Sequence, residues 1–335
     1  MLFRLATALA ALLFVATPVA VAYSGASEAA SGSALTSVQA SGAGLEKPFD
    51  ASVTATQTAP APLSPGSADG SAVARRAAVL TLPNAMAALG DSITRGFNAC
   101  GFYVDCVQRS WSTGTGTEVG SHYLGILSQN PAIDDKNFND AKTGAVAADM
   151  VGQAQQAVTQ KVEYVTLLVG ANDACRPTEG KMTSVAEYRK QVAAALKVIK
   201  SGLPNAKVFI ASIPNVKKVW ETSSGNFLAR AAWKLGHICQ SLLANPTSHS
   251  AADNQRRDRV MQRVAGYNSQ LSRLCSGYGT NCKFDGGAVY NFNFGSELLS
   301  NFDFFHPNGD GQRVLAQITR QAGFQWQSAG NPVLP

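Results

Sequence analysis

Short apolar runs that end at a glycine or a proline recur along the chain. The clearest runs are residues 85–89, 162–169 and 207–213, which are closed by Gly90, Gly170 and Pro214, respectively. A run of this length with a turn residue at its end predicts a buried β-strand. Residues 288–292 carry a weaker form of the same pattern and are predicted as a further strand.

Between these runs, apolar residues recur every three or four positions, as they do on one face of a helix. This spacing predicts helices around residues 146–158, 185–199, 260–274 and 314–318. Strands that alternate with helices favour a parallel sheet covered on both faces. The predicted fold class is therefore α/β, a three-layer α/β/α sandwich with a central parallel sheet, formed by one domain over residues 84–335.

The first 83 residues follow a different pattern. Residues 1–22 combine Arg4, an uncharged apolar stretch and the small-x-small sequence AVA, which predicts a signal peptide cleaved before Tyr23. An uncleaved membrane anchor is the alternative, but Pro18 and the polar residues after Tyr23 favour cleavage. Residues 23–83 are dominated by Ala, Ser, Thr, Gly and Pro, which predicts a disordered linker. The protein is therefore expected to be secreted.

Composition and charge limit the kinds of partner that the protein can be expected to bind. With 45% hydrophobic and 15% charged residues in 335, the chain has enough apolar material for a core. The part from residue 84 onward carries the whole formal net charge of +6, which suits anionic headgroups, so transient contact with a membrane surface is expected. No basic stripe interleaves with aromatic residues, so no nucleic-acid partner is expected. The sequence carries no signal for an oligomeric state.

All six cysteines fall within the predicted folded part: Cys100, Cys106, Cys175, Cys239, Cys275 and Cys282. An even number in an exported chain predicts three disulfides, although six cysteines allow many pairings. Short loops make Cys100–Cys106 and Cys275–Cys282 the simplest pairs, which leaves Cys175–Cys239. A metal site is the competing interpretation, but no Cys-x-x-Cys occurs and no histidine clusters with the cysteines. Neither a metal nor a cofactor is predicted.

Polar residues stand where open α/β sheets bind their ligands, just beyond strand ends. The three segments are GDS at 90–92, GAND at 170–173 and DFFHP at 303–307. Each has an ordinary alternative: Asp91 and Ser92 as a helix cap, Asn172 and Asp173 as a turn, and His306 as a surface residue. All three occurring together at element ends favours one cleft that gathers them.

These groups suit acyl transfer. The Ser92 hydroxyl becomes a nucleophile when an imidazole, here His306, accepts its proton. Asp303 lies three residues before His306 and is expected to orient the ring through Nδ1. The oxyanion hole is predicted from the N–H of Ser92 at a helix start, the side-chain amide of Asn172, and the N–H of Gly144 before another helix.

The order GDSIT, KTGAVAADM, GAND and DFFHP resembles the SGNH (GDSL-type) hydrolase superfamily over about residues 85–324. Its four signature residues would correspond to Ser92, Gly144, Asn172 and His306, with Asp303 completing the triad. The RSWS stretch at 109–112 and Cys175 after GAND are similar to the phospholipase-B-like branch of secreted lipases and esterases. The resemblance implies a flavodoxin-like fold, no metal and hydrolysis of carboxylic esters. Residues 215–253 do not align, which leaves acyl length and headgroup open.

The predicted function is a secreted serine hydrolase that cleaves carboxylic esters of lipids or phospholipids through an acyl-enzyme. A carbohydrate O-acetyl esterase, acting on acetylated glycan, is the alternative, and it would favour a shallow polar cleft. A binding protein without activity would not need Asp303 and His306 together, and the GxSxG motif of α/β-hydrolases is absent.

Two further features concern the surroundings of the site. Residues 215–253 are either a lid or acyl-binding wall or an ordinary packing excursion, with apolar bulk from Trp220, Phe227, Leu228, Trp233, Leu235 and Ile238. His122, His237 and His249 have no partners at catalytic spacing and are interpreted as structural residues.

Overall fold

The computed structural model describes residues 81–326, so the predicted signal peptide, nearly all of the predicted linker and residues 327–335 lie outside the described residues. The centre of the domain is a five-stranded sheet in the order β2-β1-β3-β4-β5, in which every neighbouring pair is parallel. The strands are β1 (Met86–Gly90), β2 (Asn137–Asn139), β3 (Tyr164–Leu168), β4 (Lys207–Ile210) and β5 (Cys282–Phe284).

Ten helices flank this sheet in the described part of the chain. They are α1 (His122–Leu127), α2 (Met150–Gln160), α3 (Ala171–Ala174), α4 (Val185–Gly202), α5 (Lys217–Ser223), α6 (Phe227–Leu235), α7 (Gln240–Leu243), α8 (Ala251–Tyr278), α9 (Ala288–Asn291) and α10 (Gly309–Ala322). Helices α2, α4 and α8 pack side by side, and α1 contacts α10. The predicted three-layer α/β/α sandwich is confirmed. Across residues 81–326 no helix is both long enough and apolar enough to cross a bilayer.

The two central strands, β1 and β3, are buried at every position. Strands of a parallel sheet are covered on both faces, so they carry continuous apolar runs. His122 of α1 packs against this core, with its ring nitrogens 2.9 Å from the Tyr164 hydroxyl and 2.9 Å from the Thr319 hydroxyl. Burial lowers the pKa of His122 to about 3, so the ring is neutral at physiological pH. His122 is therefore a structural residue.

The prediction of a strand over residues 288–292 is wrong, because these residues begin helix α9. Asp285 explains the difference: its carboxylate accepts the N–H of Gly287 at 2.8 Å and the N–H of Val289 at 3.1 Å. These bonds satisfy backbone donors at the start of a helix. The last strand lies earlier, at β5, and its three half-buried residues leave no apolar run that the sequence pattern could reveal.

The six cysteines form the pairs that loop length favours. Cys100–Cys106 and Cys275–Cys282 close short loops, and Cys175–Cys239 spans 64 residues. The long-range bridge joins the segment just after α3 to the residue just before α7. It therefore fixes the connection that carries α5 and α6 to the loop after strand β3.

Candidate active site

Ser92 stands in a tight turn directly after strand β1. Gly90 begins this turn with φ of +156°, and a Cβ there would lie 2.4 Å from the carbonyl oxygen of Leu168, so only glycine fits. The Asp91 carboxylate accepts the N–H of Ile93 at 3.0 Å. The chain continues through successive turns instead of the helix predicted at this point. The side-chain bond at Asp91 favours the turn because it satisfies a backbone donor locally.

Two buried glutamines hold this turn in place. Gln153 of α2 clamps the Gly90 backbone, accepting its N–H at 2.7 Å and donating to its carbonyl at 3.0 Å. Gln312 of α10 donates to the Ile93 carbonyl at 2.8 Å and accepts the N–H of Trp111 at 3.0 Å. Because both amides are buried and fully engaged, the position of Ser92 is fixed by helices on two sides.

The structure brings Ser92, His306 and Asp303 together in one line of hydrogen bonds. The Ser92 hydroxyl oxygen lies 2.8 Å from Nε2 of His306. Nδ1 of the same ring lies 2.6 Å from Oδ2 of Asp303. Ser92 is 5% exposed and Asp303 is 2% exposed, whereas the His306 side chain keeps 15% of its surface accessible. This geometry allows a proton to pass from the serine hydroxyl to the imidazole.

Several donors surround the carboxylate of Asp303. Oδ1 accepts the backbone N–H groups of Phe305 and His306, each at 3.0 Å, and Oδ2 accepts the side-chain amide of Asn98 at 2.6 Å. Burial alone raises the pKa of Asp303, but the hydrogen bonds from His306 and these backbone donors outweigh it and leave the pKa below its usual range. Asp303 is therefore a carboxylate at neutral pH, which suits it to orient the imidazole.

The three predicted oxyanion donors come from neighbouring loops. Strands β1 and β3 pair directly, so Ser92 and Asn172 follow adjacent strand ends. The Asn172 amide donates to the carbonyl of Ala145 at 3.0 Å, which places it beside Gly144. Gly144 has φ of +83° and precedes a 3-10 turn, Ala147–Asp149. Among described residues, no acceptor bonds to the backbone N–H of Ser92 or of Gly144.

Two further carboxyl groups are buried close to Ser92. Burial raises the pKa of Asp91 to about 7, and it also raises the pKa of Asp173. One oxygen of each carboxyl, Oδ2 of Asp91 and Oδ1 of Asp173, has no hydrogen-bond partner among the described residues. Both acids are thus held toward the neutral form. A neutral carboxyl opposes a developing oxyanion less than a carboxylate would.

An apolar pocket of about 40 Å³ adjoins this site. Ile93, which follows Ser92, and Phe305, which precedes His306, line it together with Ala171, which precedes Asn172. Val216 and Val219 line the same pocket. Part of the 215–253 region therefore forms a wall beside the site.

The rest of that region divides into buried and exposed side chains. Trp220 and Trp233 are buried, whereas Phe227, Leu228 and Leu235 of α6 are exposed. The indole N–H of Trp233 donates to the backbone carbonyl of Asp303 at 3.1 Å, so α6 contacts the segment that carries the Asp303 carboxylate.

Sequence reasoning missed the residues that support the site. Asn98, Gln153, Gln312 and Trp233 contact the catalytic segments only after folding, across 205, 63, 219 and 70 residues, respectively. None belongs to a motif. The one available signal was the amide of Asn98 six residues after the GDS turn, within the stretch that precedes Cys100.

Comparison with known proteins bears on the family and the fold. The profile of the GDSL-like lipase/acylhydrolase family matches residues 86–319. No curated protein matches the chain. Solved structures that resemble it include a putative GDSL-like lipase from Parabacteroides merdae, at 17% identity and a TM-score of 0.46 over 73% of this chain and 96% of that one.

Two other solved structures have comparable scores. An acetylxylan esterase from Geobacillus stearothermophilus is 15% identical, with a TM-score of 0.45 over 72% of this chain and 94% of that one. A psychrotrophic esterase from a Pseudoalteromonas species is 13% identical, with a TM-score of 0.41 over 71% of this chain and 96% of that one. The family profile covers most of the chain, and the chain therefore belongs to the GDSL-like lipase/acylhydrolase family of carboxylic ester hydrolases.

Proposed function

We propose that the protein is a secreted serine hydrolase that cleaves carboxylic esters of lipids or phospholipids through an acyl-enzyme intermediate. The observation that carries this proposal is the line of hydrogen bonds from Ser92 through His306 to Asp303, at 2.8 Å and 2.6 Å. It supports Ser92 as nucleophile, His306 as general base and acid, and Asp303 as the group that orients the imidazole.

In the first half-reaction, the Ser92 oxygen attacks the ester carbonyl while its proton moves to Nε2 of His306. Asp303 stabilises the imidazolium that forms. The tetrahedral oxyanion accepts hydrogen bonds from the N–H groups of Ser92 and Gly144 and from the Asn172 amide. His306 then donates the proton to the leaving alcohol oxygen as the carbon–oxygen bond breaks, which leaves an acyl ester on Ser92.

In the second half-reaction, His306 removes a proton from a water molecule, which attacks the acyl carbonyl through the same oxyanion hole. Collapse of this intermediate returns the proton to the Ser92 oxygen and releases the carboxylic acid. Every proton transfer uses Nε2 of His306, the nitrogen that faces Ser92.

The lipid assignment rests on the apolar character of the pocket that Ile93, Val216, Val219 and Phe305 line. Apolar side chains take up the methylene groups of an acyl chain and exclude water from the reacting ester. Three disulfides in the described domain support export, because such bridges persist in oxidising compartments.

The size of the same pocket favours the second candidate, a carbohydrate O-acetyl esterase. At about 40 Å³ this pocket is small. A small pocket suits a short acyl group, whereas a longer chain extends beyond it. Acyl length is therefore the property that separates the two candidates.

The test is the initial rate of hydrolysis of nitrophenyl esters from acetate to palmitate. We expect activity that peaks at medium or long chains and is lost in Ser92→Ala, with Ser201→Ala, an exposed serine of α4, as the matched control. Activity confined to acetate would favour the O-acetyl esterase. Activity that survives in Ser92→Ala would show that another residue is the nucleophile.

A further inference from the structure

The exposed apolar side chains are concentrated around one part of the molecule. Within residues 81–326, every exposed large apolar residue lies on one of three segments: residues 102–107, helix α6 or Phe302. The exposed fractions reach 63% at Phe102, 71% at Phe227 and 80% at Leu235. We call these three segments the apolar rim. Concentrated exposure of this kind marks an interaction surface, whereas single exposed apolar residues do not.

A chain of aromatic contacts connects the apolar rim to the catalytic imidazole. Phe302 contacts Phe102 edge-on at 5.6 Å between ring centroids, and Phe102 contacts Tyr103 at 4.6 Å. Tyr103 in turn contacts Phe97 at 5.7 Å, and Phe97 contacts His306 at 5.0 Å. The part of the rim formed by Phe302 and residues 102–107 is therefore continuous with the site where an ester would react.

Helix α6 is anchored on its inner face and apolar on its outer face. Trp233 is buried and donates to the Asp303 carbonyl, whereas Phe227, Leu228 and Leu235 point away from the core. Leu228 and Leu235 are seven residues apart, which places them on the same side of the helix. No described residue covers this outer face.

Helix α6 carries positive charge and no negative charge. Its two ionisable residues are Arg230 and Lys234, and no acidic residue occurs between residues 222 and 239. Exposed Phe and Leu side chains next to basic residues are typical of helices that lie in the headgroup region of an anionic bilayer. The net charge of +6 from residue 84 onward acts in the same direction over a longer range.

We propose that the apolar rim docks the enzyme onto an anionic lipid–water interface, with the catalytic site facing the lipid. This inference rests on the proposed lipid-ester hydrolysis and names the physical state of its substrate. The exposed Phe and Leu side chains enter the acyl region, and Arg230 and Lys234 meet the headgroup phosphates. A long acyl chain that exceeds the 40 Å³ pocket is then presented by the lipid phase itself.

The test measures vesicle binding without catalysis. The full chain carrying Ser92→Ala is sedimented with vesicles of phosphatidylglycerol or of phosphatidylcholine. We expect binding to phosphatidylglycerol that falls at least about tenfold in Phe227→Ser/Leu235→Ser, because each side chain loses its transfer to the apolar phase. Lys234→Glu should weaken binding to phosphatidylglycerol about tenfold as well. Lys190→Glu, an exposed lysine of α4, is the matched control and should bind like the parent.

The vesicle-binding experiment can fail without contradicting the esterase proposal, because it measures binding and not hydrolysis. Absence of binding to phosphatidylglycerol, or equal binding by the Phe227→Ser/Leu235→Ser variant with an unchanged melting temperature, overturns the inference but leaves the esterase proposal standing. Equal binding to phosphatidylcholine overturns the requirement for an anionic surface. A concentration-dependent dimer that dissociates in the same variant would show that a second copy of the chain, not lipid, covers the rim.

Discussion

The side-chain amide of Asn98 lies 2.6 Å from Oδ2 of Asp303, the same oxygen that contacts the His306 ring. The carbonyl oxygen of the Asn98 side chain accepts the N–H of Tyr103, also at 2.6 Å. One buried side chain thus connects the carboxylate of Asp303 to the exposed loop that carries Phe102 and Tyr103. We infer that Asn98 is a positioning residue for Asp303.

Replacing Asn98 by alanine removes a donor to the charged form of Asp303. We expect kcat/KM to fall roughly ten- to hundredfold, the usual value of a hydrogen bond to a charged group. The pKa of Asp303 should rise, because its charged form loses a hydrogen bond. In an Asp303→Ala background the same substitution should have little further effect. Full additivity of the two substitutions would contradict this role.

The Asn172 amide should contribute to the transition state more than to substrate binding. Removal of one oxyanion donor typically lowers turnover by about 10²–10³. We therefore expect Asn172→Ala to lower kcat by about this factor with little change in KM. Asn172→Asp keeps the size of the side chain but loses both donors and adds charge, so its activity should be lower still. A rise in KM with kcat unchanged would rule out the oxyanion role.

The substitution Gly144→Ala tests the second backbone donor of the proposed oxyanion hole, the N–H of Gly144. Its φ of +83° is strained for any residue with a Cβ, although the space around the missing Cβ is open. We expect Gly144→Ala to shift the loop, lower kcat about tenfold and leave the fold intact, since such strain costs about 1–2 kcal/mol. Gly152→Ala in α2 is the control: its surroundings are equally open and its backbone is helical. This control should keep full activity and gain slightly in stability.

The buried imidazole of His122 should make stability depend on pH. Its pKa is lowered to about 3 in the folded state, whereas in the unfolded chain it is near 6.5. Below pH 6.5 the unfolded state therefore binds a proton that the folded state does not, and stability falls. Between pH 7 and pH 5 the wild type should lose about 2 kcal/mol more than His122→Gln, measured by denaturant unfolding. If the stability of the wild type and of His122→Gln changed equally with pH, the lowered pKa of His122 would be contradicted.

The long-range disulfide should matter most for stability. In the chain-entropy account, a bridge that spans 64 residues contributes about 4 kcal/mol, and one that spans 7 residues contributes about 2.5 kcal/mol. We expect Cys175→Ala/Cys239→Ala to lower the midpoint of thermal unfolding more than Cys275→Ala/Cys282→Ala does. The reverse order would show that residues 175–239 are held mainly by packing.

Strands whose residues are buried could be predicted from the sequence, whereas half-buried strands could not. Strands β1, β3 and β4 have continuous buried runs and were predicted, with small shifts of their ends. Strands β2 and β5 lie at the sheet edges, contain three half-buried residues each, and have no such run. Residues 288–292 were assigned to a strand because the capping contribution of Asp285 depends on folded geometry.

The residues of the candidate site could be predicted where they stand in short motifs next to a strand or a helix. Ser92, Asn172 and His306 follow or precede recognisable elements, and the structure brings Ser92, His306 and Asp303 into contact. Asn98 and Gln312 were not predicted, because their bonds to the site close over 205 and 219 residues. An amide in the sequence gives no indication of which distant segment it will meet.

The hydrogen bond between Ser92 and His306 closes a loop of 214 residues. Ser92, the proposed nucleophile, follows the first strand of the sheet, and His306, the proposed base, precedes the last helix of the domain, so no shorter piece of the chain contains both. We therefore expect a nascent chain that ends before residue 306 to have no esterase activity, even when the sheet has begun to form. In a refolding experiment, recovery of activity should follow recovery of helical signal, and activity reports completion of the entire domain.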